Sequence, residues 1–260
     1  MLLIDVLAVL DSIAPLRHAE AWDNVGLLAG DPGSSITRVL LAIDATNAVF
    51  DEAKRAGAEL LVAYHPPLFE AIKRVRHDSL IHRAIRDGIA IYSPHTALDV
   101  APGGTNDVLA DILGMTSREP LRMIPAAQPE GTGIGRVGSL DTPTDRSALF
   151  AQIKKGLEID ALLVAGPLEG EVKTAAVCAG AGRSLLDDAI AKGADLFLTG
   201  ELPHHDALRA AKAGMTVACA LHSNSERAAL RALRKRLEEM LSGGVEIAIS
   251  TEDRDPFTVR

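Results

Sequence analysis

GIAIYSPHTALD (88–99) and GMTVACALHSNSE (214–226) are the stretches that decide the fold, because they repeat one pattern. Each opens with a glycine, continues as a short apolar run, and ends in a histidine that stands four residues before a carboxylate. An apolar run bounded by glycine and turn residues is typical of a buried strand. A second pair of stretches lies upstream, AGAELLVAYH (56–65) and KGADLFLTGE (192–201), and aligns at its glycines. The chain therefore contains two similar segments, half a chain apart.

The order of the predicted elements favours an α/β fold in both segments. Strands alternate with helices across short connections of glycine and proline, which is typical of βαβ units on a mainly parallel or mixed sheet. In the first segment we predict strands at 39–44, 59–64 and 89–93, and helices at 47–56, 78–86 and 106–113. In the second we predict strands at 173–180, 194–199, 215–220 and 245–250, and helices at 184–192, 203–213 and 225–241. A boundary near residue 120 divides the chain into an N-terminal unit (1–120) and a C-terminal unit (121–260), related by pseudo-duplication.

Composition limits the classes of function. The 260 residues carry a formal net charge of −8, which argues against a dedicated nucleic-acid surface. The start of the chain, MLLIDVLAVLDSIAPL, contains acidic residues and no basic leader, so we predict an amphipathic first helix rather than a signal peptide. No apolar run reaches the ~20 residues that a membrane span needs, and we expect a cytoplasmic protein. For Cys178 and Cys219 we favour buried thiols over a disulfide or a ligand pair.

Six polar side chains fall at or just after the ends of predicted strands. They are His65, His95, Asp99, Glu201, His222 and Glu226. Ligands of open α/β sheets bind beyond the carboxyl ends of the strands, so all six could face one cleft between the two units. Histidine and carboxylate together suit a transition-metal site, and their duplicated positions favour this interpretation.

Some of these residues have a simpler interpretation. Ser223-Asn224-Ser225-Glu226 opens a long predicted helix and fits a capping box, in which Glu226 would bind the backbone at the helix start. His65 could form only a hydrogen bond in a turn. Asp99 could be an ordinary turn aspartate before a glycine-rich loop.

Three other groups are weaker candidates. Neighbouring side chains on a helix point in different directions, so His204 and His205 cannot easily bind one ion; one of them could touch a substrate. Arg136, in a glycine-rich stretch, could bind phosphate, although a solvent-facing arginine in a turn is favoured. The turn Gly180-Ala181-Gly182 could present backbone N–H groups to an anion.

Seven motifs in this order resemble the NIF3 family over essentially the whole chain. They are AWDNVGLLAGDP (21–32), LLVAYHPPLF (60–69), IYSPHTALDVAPGGTND (91–107), GRVGSL (135–140), VCAGAG (177–182), LTGELPHHDAL (198–208) and HSNSERAAL (222–230). The YHPP sequence is similar to one branch of the family. The chain lacks the central insertion domain that longer members carry.

The resemblance implies a metal centre. It implies one or two divalent ions (Zn, Fe, Mn or Ni), with ligands at His65, Asp99, His222 and Glu226. Tyr64 stands where many members carry a second histidine. A second ion site would therefore be weaker, or would be completed by Tyr64, water or substrate.

The resemblance also implies a function of the kind described for GTP cyclohydrolase I type 2 homologs. That function is metal-dependent hydrolysis of a nucleotide or a phosphoester. His95 or Glu201, the members of the repeated pattern without a ligand role, would then move a proton. The alternative is a metal-binding scaffold or regulatory protein without turnover. In both cases the resemblance implies a homo-oligomer, such as a toroidal hexamer.

Overall fold

A computed structural model describes residues 1–124 and 132–260. Its α-helices are α1 (Leu3–Ile13), α2 (Asn47–Ala56), α3 (Leu80–Asp87), α4 (His95–Val100), α5 (Thr105–Leu113), α6 (Arg146–Leu157), α7 (Leu186–Ala191), α8 (His204–Lys212) and α9 (His222–Met240). Its strands are β1 (Gly26–Ala29), β2 (Arg38–Ala42), β3 (Leu60–Ala63), β4 (Ala90–Ser93), β5 (Met115–Glu119), β6 (Arg122–Met123), β7 (Gly133–Ile134), β8 (Arg136–Asp145), β9 (Leu163–Ala165), β10 (Glu171–Ala181), β11 (Leu196–Glu201), β12 (Thr216–Cys219) and β13 (Glu246–Ile249). Short 3-10 helices cover Leu16–His18 and Gly182–Leu185.

The chain forms two compact units. The N-terminal unit consists of Met1–Ala101 and Leu230–Arg254, and the C-terminal unit of Pro102–Ala229 and Asp255–Arg260. These units differ from the predicted segments 1–120 and 121–260, because the last strand joins the first sheet. β13 pairs with β2 in parallel, which makes residues near the end of the chain part of the N-terminal unit.

The sheet of the N-terminal unit has the strand order β1-β4-β3-β2-β13. β13, β2, β3 and β4 run parallel, and β1 runs antiparallel to β4. Alternate residues of the strands pack on opposite faces, as strand geometry requires. Leu41 and Val62 pack with α1 on one face, whereas Leu40 and Leu61 pack with α2 and α3 on the other. The strands are therefore buried on both faces, which explains their continuous apolar sequences.

The helices on this sheet begin and end where the sequence provides caps. The Thr46 side chain accepts a hydrogen bond from the backbone N–H of Val49 at the start of α2. Gly57 closes the same helix in the left-handed conformation, with φ of 69°. Ser79 caps α3 in the same way as Thr46 caps α2. Such caps satisfy backbone groups that the helix leaves unpaired.

The sheet of the C-terminal unit has the order β5-β8-β10-β11-β12-β9. β10, β11 and β12 run parallel, and β9 runs antiparallel to β12. The N-terminal unit has the same plan, since β2, β3 and β4 run parallel and β1 runs antiparallel to β4. In both units this antiparallel strand precedes the three parallel strands in the chain, and the C-terminal sheet also contains β5 and β8, with β8 antiparallel to β10. The predicted α/β class, with two similar units and mixed sheets, is confirmed.

Two further expectations concern membranes and cysteines. No helix in the described part of the chain combines the length and the apolar character needed to cross a bilayer. In the described part of the chain neither Cys178 nor Cys219 forms a disulfide; Cys178 is buried, as predicted, whereas Cys219 is half-buried. Burial raises the pKa of the Cys219 thiol to about 11, so the reactive thiolate is disfavoured at neutral pH.

Candidate metal site

Polar side chains follow three neighbouring parallel strands of the N-terminal unit. Asp44, His65 and His95 each stand two residues beyond the end of β2, β3 and β4, respectively. The carboxyl ends of parallel strands share one edge of a sheet, which is where α/β proteins place their ligands. The topology therefore brings two of the predicted histidines and one further carboxylate to the same edge.

His65 is oriented by Asp44. The ring Nδ1 lies 2.9 Å from Asp44 Oδ1, and the histidine side chain is mostly buried. A carboxylate at Nδ1 favours the tautomer with its proton on that nitrogen. The Nε2 atom then carries no proton, and its lone pair can bind a metal ion.

His95 is held in the same way by Asp23. Its Nδ1 lies 2.8 Å from Asp23 Oδ1, and the other oxygen of Asp23 accepts hydrogen bonds from the backbone and the hydroxyl of Thr96. Burial raises the pKa of Asp23, but the hydrogen bonds from His95 and Thr96 outweigh burial and bring this pKa below its ordinary value. His95 also has a positive φ of 29°, unusual for a residue other than glycine. A specific backbone conformation and a buried carboxylate thus fix the ring.

Tyr64 contacts both histidine rings and is fully buried. Its ring centroid is 5.3 Å from that of His65 and 5.8 Å from that of His95, and the two histidine rings are 5.4 Å apart with edge-on geometry. The Tyr64 hydroxyl donates a hydrogen bond to Asp99 Oδ1. Tyr64 is therefore a hydrogen-bond donor to a predicted metal ligand.

The C-terminal unit brings a histidine and two carboxylates together at the start of α9. His222 Nδ1 lies 3.1 Å from Glu201 Oε1, at the end of β11. His222 Nε2 lies 3.3 Å from Glu226 Oε1, four residues later on the same helix. Glu226 is only 3% exposed. α9 begins at His222 rather than near residue 225, so the predicted pair occupies its first two turns.

Gly180, at the end of β10, leaves room for this pair. Its φ of 62° is left-handed. A Cβ atom on this residue would lie 2.8 Å from Glu226 Oε1, closer than real Cβ contacts allow, and 3.1 Å from His222 Nε2, which is tighter than most of them. The Gly180 N–H donates to Ser225 Oγ at 2.9 Å. The glycine turn thus packs against the histidine–carboxylate pair, and the Gly180 N–H does not serve as an anion donor.

The structure corrects the prediction that Arg136 is exposed to solvent. This residue is only 3% exposed, so the favoured interpretation as a solvent-facing turn arginine is wrong. Its Nε and Nη2 atoms donate to the two oxygens of Asp107 at 2.7 and 3.2 Å, and Nη1 donates to the carbonyls of Gly133 and Gly135. These bonds occupy the guanidinium within the fold, so phosphate binding by Arg136 is not supported either.

His204 and His205 begin α8 and are both exposed. Their rings contact each other at a centroid distance of 5.3 Å with near-perpendicular planes. The expectation that one of them touches a substrate stays a prediction.

Two residues of the candidate site have no role predicted from the sequence. Asp44 and Asp23 hold His65 and His95, respectively, yet neither was assigned a role. A signal existed for Asp44, because VLLAID ends in a carboxylate at the end of a strand. Histidine ligands commonly donate their second N–H to a carboxylate, which makes a strand-end carboxylate such as Asp44 a candidate partner.

Three histidines thus share one arrangement. His65, His95 and His222 each have Nδ1 within 3.1 Å of a carboxylate oxygen. Among the described residues, His65, His222 and Glu226 qualify as possible metal ligands. The mixed nitrogen and oxygen donors and the space left by Gly180 fit a transition-metal ion.

Fold and site together define a class of protein: an α/β protein with a duplicated plan and carboxylate-oriented histidines at its strand ends. Residues 1–256 match the family described as Duf34/NIF3 (NGG1p interacting factor 3), and the chain belongs to this family. The resemblance predicted from the seven motifs is confirmed.

Similar proteins agree with this assignment. A GTP cyclohydrolase 1 type 2 homolog of Clostridium perfringens is 36% identical over 261 residues, covering 99% of both chains. NIF3-like protein 1 of Drosophila melanogaster is 36% identical, covering 97% of this chain and 87% of the relative. The crystal structure of a Bacillus cereus protein related to NIF3 has a TM-score of 0.91 at 23% identity, covering 100% of this chain and 99% of the other, which supports the fold.

Proposed function

We propose that this protein is a metal-dependent hydrolase that acts on a nucleotide or a phosphoester. The observation that carries the proposal is the repeated arrangement in which a carboxylate holds Nδ1 of each site histidine. Such pairs orient the ring and increase the basicity of Nε2, which suits both metal ligation and proton transfer. The name of the Clostridium perfringens relative points to GTP as one substrate to test.

In this proposal the metal ligands are His65, Asp99, His222 and Glu226. Nitrogen and oxygen donors together suit Zn, Fe, Mn or Ni, and one or two ions bind per chain. A bound ion would supply Lewis acidity and lower the pKa of a coordinated water.

The chain itself supplies orientation and proton transfer. Asp23 holds His95 through Nδ1, so Nε2 of His95 is the atom that would take or give a proton. Glu201 is the other residue predicted to transfer a proton, but it contacts His222 Nδ1. We therefore assign proton transfer to His95 and the orientation of a ligand to Glu201.

A metal-binding scaffold or regulatory protein without turnover is the second candidate, and one observation favours it. Catalysis requires a surplus of polar groups beyond those that hold an ion, and the predicted candidates for it are His95 and Glu201. The Glu201 contact with His222 reduces that surplus to His95 alone. A homo-oligomer, such as a toroidal hexamer, is compatible with either candidate and is proposed on the family resemblance. A cytoplasmic location is also compatible with either candidate and is proposed on the sequence.

Metal content tests the ligand assignment. Protein purified without chelators or affinity metals would be analysed by mass spectrometry beside Glu226→Gln, which keeps the side-chain shape. The matched control is Glu238→Gln, an exposed glutamate of the same helix that pairs with Arg234. We expect one or two ions per chain in wild type and control, and a loss in Glu226→Gln. Equal metal in all three proteins would refute Glu226 as a ligand.

Turnover separates the two candidates. Metal-loaded wild type and His95→Gln would be assayed for formate release from GTP and for phosphate release from phosphoesters. A general acid–base group contributes about 10²- to 10⁴-fold to a rate. We expect a loss of that size in His95→Gln with unchanged metal content. Stoichiometric metal without turnover on either substrate class would establish the non-catalytic candidate.

A further inference from the structure

Two exposed aromatic rings lie together in the N-terminal unit. The side chain of Trp22 is 59% exposed and that of Phe69 is 49% exposed. Their ring centroids are 5.8 Å apart, with an angle of 47° between the planes. Large aromatic surfaces are usually buried because burial removes much apolar area from water. An exposed pair of this size is a feature that the fold itself does not explain.

The loop that carries Trp22 is tied to its surroundings on both sides. The Glu20 N–H donates to the Thr96 hydroxyl at 3.0 Å. The Asn24 side-chain amide donates to the carbonyl of Leu68, next to Phe69. These bonds hold the two aromatic residues in fixed relative positions, so little conformational entropy remains to be lost when a ligand binds.

The aromatic pair lies beside the proposed proton-transfer residue. The Trp22 ring centroid is 6.1 Å from that of His95, with planes at 76°. Asp23, the residue after Trp22, is the carboxylate that holds His95. One short loop thus carries both an exposed ring and the partner of the catalytic histidine. A ligand ring that stacked on Trp22 would lie next to His95.

We propose that Trp22 and Phe69 form a stacking platform for a planar heteroaromatic ring of the substrate, with a nucleobase as the chemical class. This inference rests on the proposed function, since it assigns the ring-binding part of the same site. Aromatic side chains accept any base by its π-face, and polar groups beside the platform provide selectivity. The adjacent His95, whose side chain is 15% exposed, gives this platform a polar neighbour, which suits a small polar ring better than a wholly apolar surface.

Trp22 is the only tryptophan of the chain, so intrinsic fluorescence reports on this site alone. Guanosine, adenosine and cytidine would be titrated into the full chain, with free N-acetyltryptophanamide correcting for ligand absorption. Ribose 5-phosphate and tripolyphosphate serve as ligands without a ring. We expect saturable quenching by at least one nucleoside and none by the two ringless ligands. Absence of quenching by every nucleoside, or equal quenching by the ringless ligands, would overturn the proposal.

The contribution of each ring is tested by measuring the nucleoside affinity of single variants by equilibrium dialysis, which does not depend on fluorescence. We expect Trp22→Ala and Phe69→Ala each to weaken nucleoside binding about 5- to 150-fold, the effect of removing one stacking partner. Phe257→Ala is the matched control, because Phe257 is also exposed, at 71%, and is not part of the platform. Unchanged affinity in both platform variants would contradict the assignment.

A second copy of this chain is the competing occupant. If it covers Trp22, the emission spectrum will shift with protein concentration alone, in parallel with a change in size by light scattering, and nucleosides will not compete. That result would also overturn the proposal. Nucleoside binding without turnover would support the stacking platform and contradict the hydrolase assignment. Turnover in wild type, together with unchanged nucleoside affinity in the platform variants, would support the hydrolase assignment and contradict the platform.

Discussion

At the scale of single residues, each site histidine depends on a carboxylate that is distant in the chain. Asp23 precedes His95 by 72 positions and Asp44 precedes His65 by 21. The histidines themselves could be predicted, because a repeated spacing and the ends of apolar runs are visible in one sequence. Their partners could not be assigned by spacing, since the loops that bring them together are set by the sheet.

Arg136 shows a second limit of the sequence at this scale. A glycine-rich stretch indicates a turn, and turns are usually exposed. Here Gly133 and Gly135 place their carbonyls against the guanidinium, and Asp107 from α5 completes its hydrogen bonds. The burial of this arginine depends on the packing of α5, which the local sequence does not reveal.

The two tyrosines of the chain give a matched prediction. Both are buried, but the Tyr64 hydroxyl donates to Asp99, whereas the Tyr92 hydroxyl has no hydrogen-bond partner in the described part of the chain. A hydrogen bond to a charged group contributes about 1.5–3 kcal/mol, and an unsatisfied buried group costs free energy. We expect Tyr64→Phe to lower the free energy of unfolding by about 1.5 kcal/mol, and Tyr92→Phe to leave it unchanged or raise it. Denaturant titration with a chelator present checks this, and equal losses would contradict it.

Asp23 gives a prediction about pH. Its pKa in the folded protein lies below the ordinary value of 3.8, so its charged form stabilises the fold. This stabilisation is complete above the ordinary pKa and is lost as the pH falls through the folded-state pKa. Between about pH 5 and about pH 2, wild type should therefore lose more free energy of unfolding than Asp23→Asn. Asp141→Asn, at an exposed position, is the control and should follow wild type; parallel curves for all three would refute the prediction.

At the scale of helices and strands, the sequence predicts most elements to within a few residues. The helix expected at 47–56 is α2, Asn47–Ala56, because a threonine cap and a closing glycine define its ends. The expected strand at 245–250 also forms, as β13. Its partner β2 lies about 200 residues earlier in the chain. Pairing over such a separation leaves no local signal, so the unit to which β13 belongs could not be predicted.

The end of β10 provides a prediction at this scale. Gly180 and Gly193 have similar left-handed φ angles of 62° and 68°, so an alanine at either position costs roughly 1–2 kcal/mol of backbone strain. Only at Gly180 would the added Cβ collide with His222 and Glu226; at Gly193 it would meet nothing within 4 Å. We expect both variants to be destabilised, but only Gly180→Ala to lose bound metal. Metal content normalised to folded protein distinguishes them, and equal retention would exclude a role for the Gly180 space.

At the scale of the whole molecule, the duplication is the most informative feature. Both units order an antiparallel strand and three parallel strands in the same way, and both begin a helix with a histidine after the third parallel strand. This similarity could be predicted, because the same sequence pattern occurs in both segments. The division of the chain into compact units could not, since it depends on where β13 pairs.

Metal removal gives a prediction for the whole chain. A metal ion that binds only the folded state at a hundredfold excess over its dissociation constant adds about 2.7 kcal/mol to the free energy of unfolding. For a protein of this size we expect an increase in the unfolding temperature of roughly 5–10 °C. Calorimetry should show that increase in wild type and its reversal by a chelator, but neither in Glu226→Gln. An equal increase in the variant would place the ion elsewhere.

The pairing of β13 with β2 also limits when the N-terminal unit can fold during synthesis on the ribosome. The N-terminal unit contains Leu230–Arg254 and cannot complete its sheet until these residues have left the exit tunnel. Nearly all of the C-terminal unit, Pro102–Ala229, emerges before them. The unit that is translated first can thus complete its sheet only after nearly all of the other unit has emerged, and until then the edge of β2 stays open to pairing with other nascent chains.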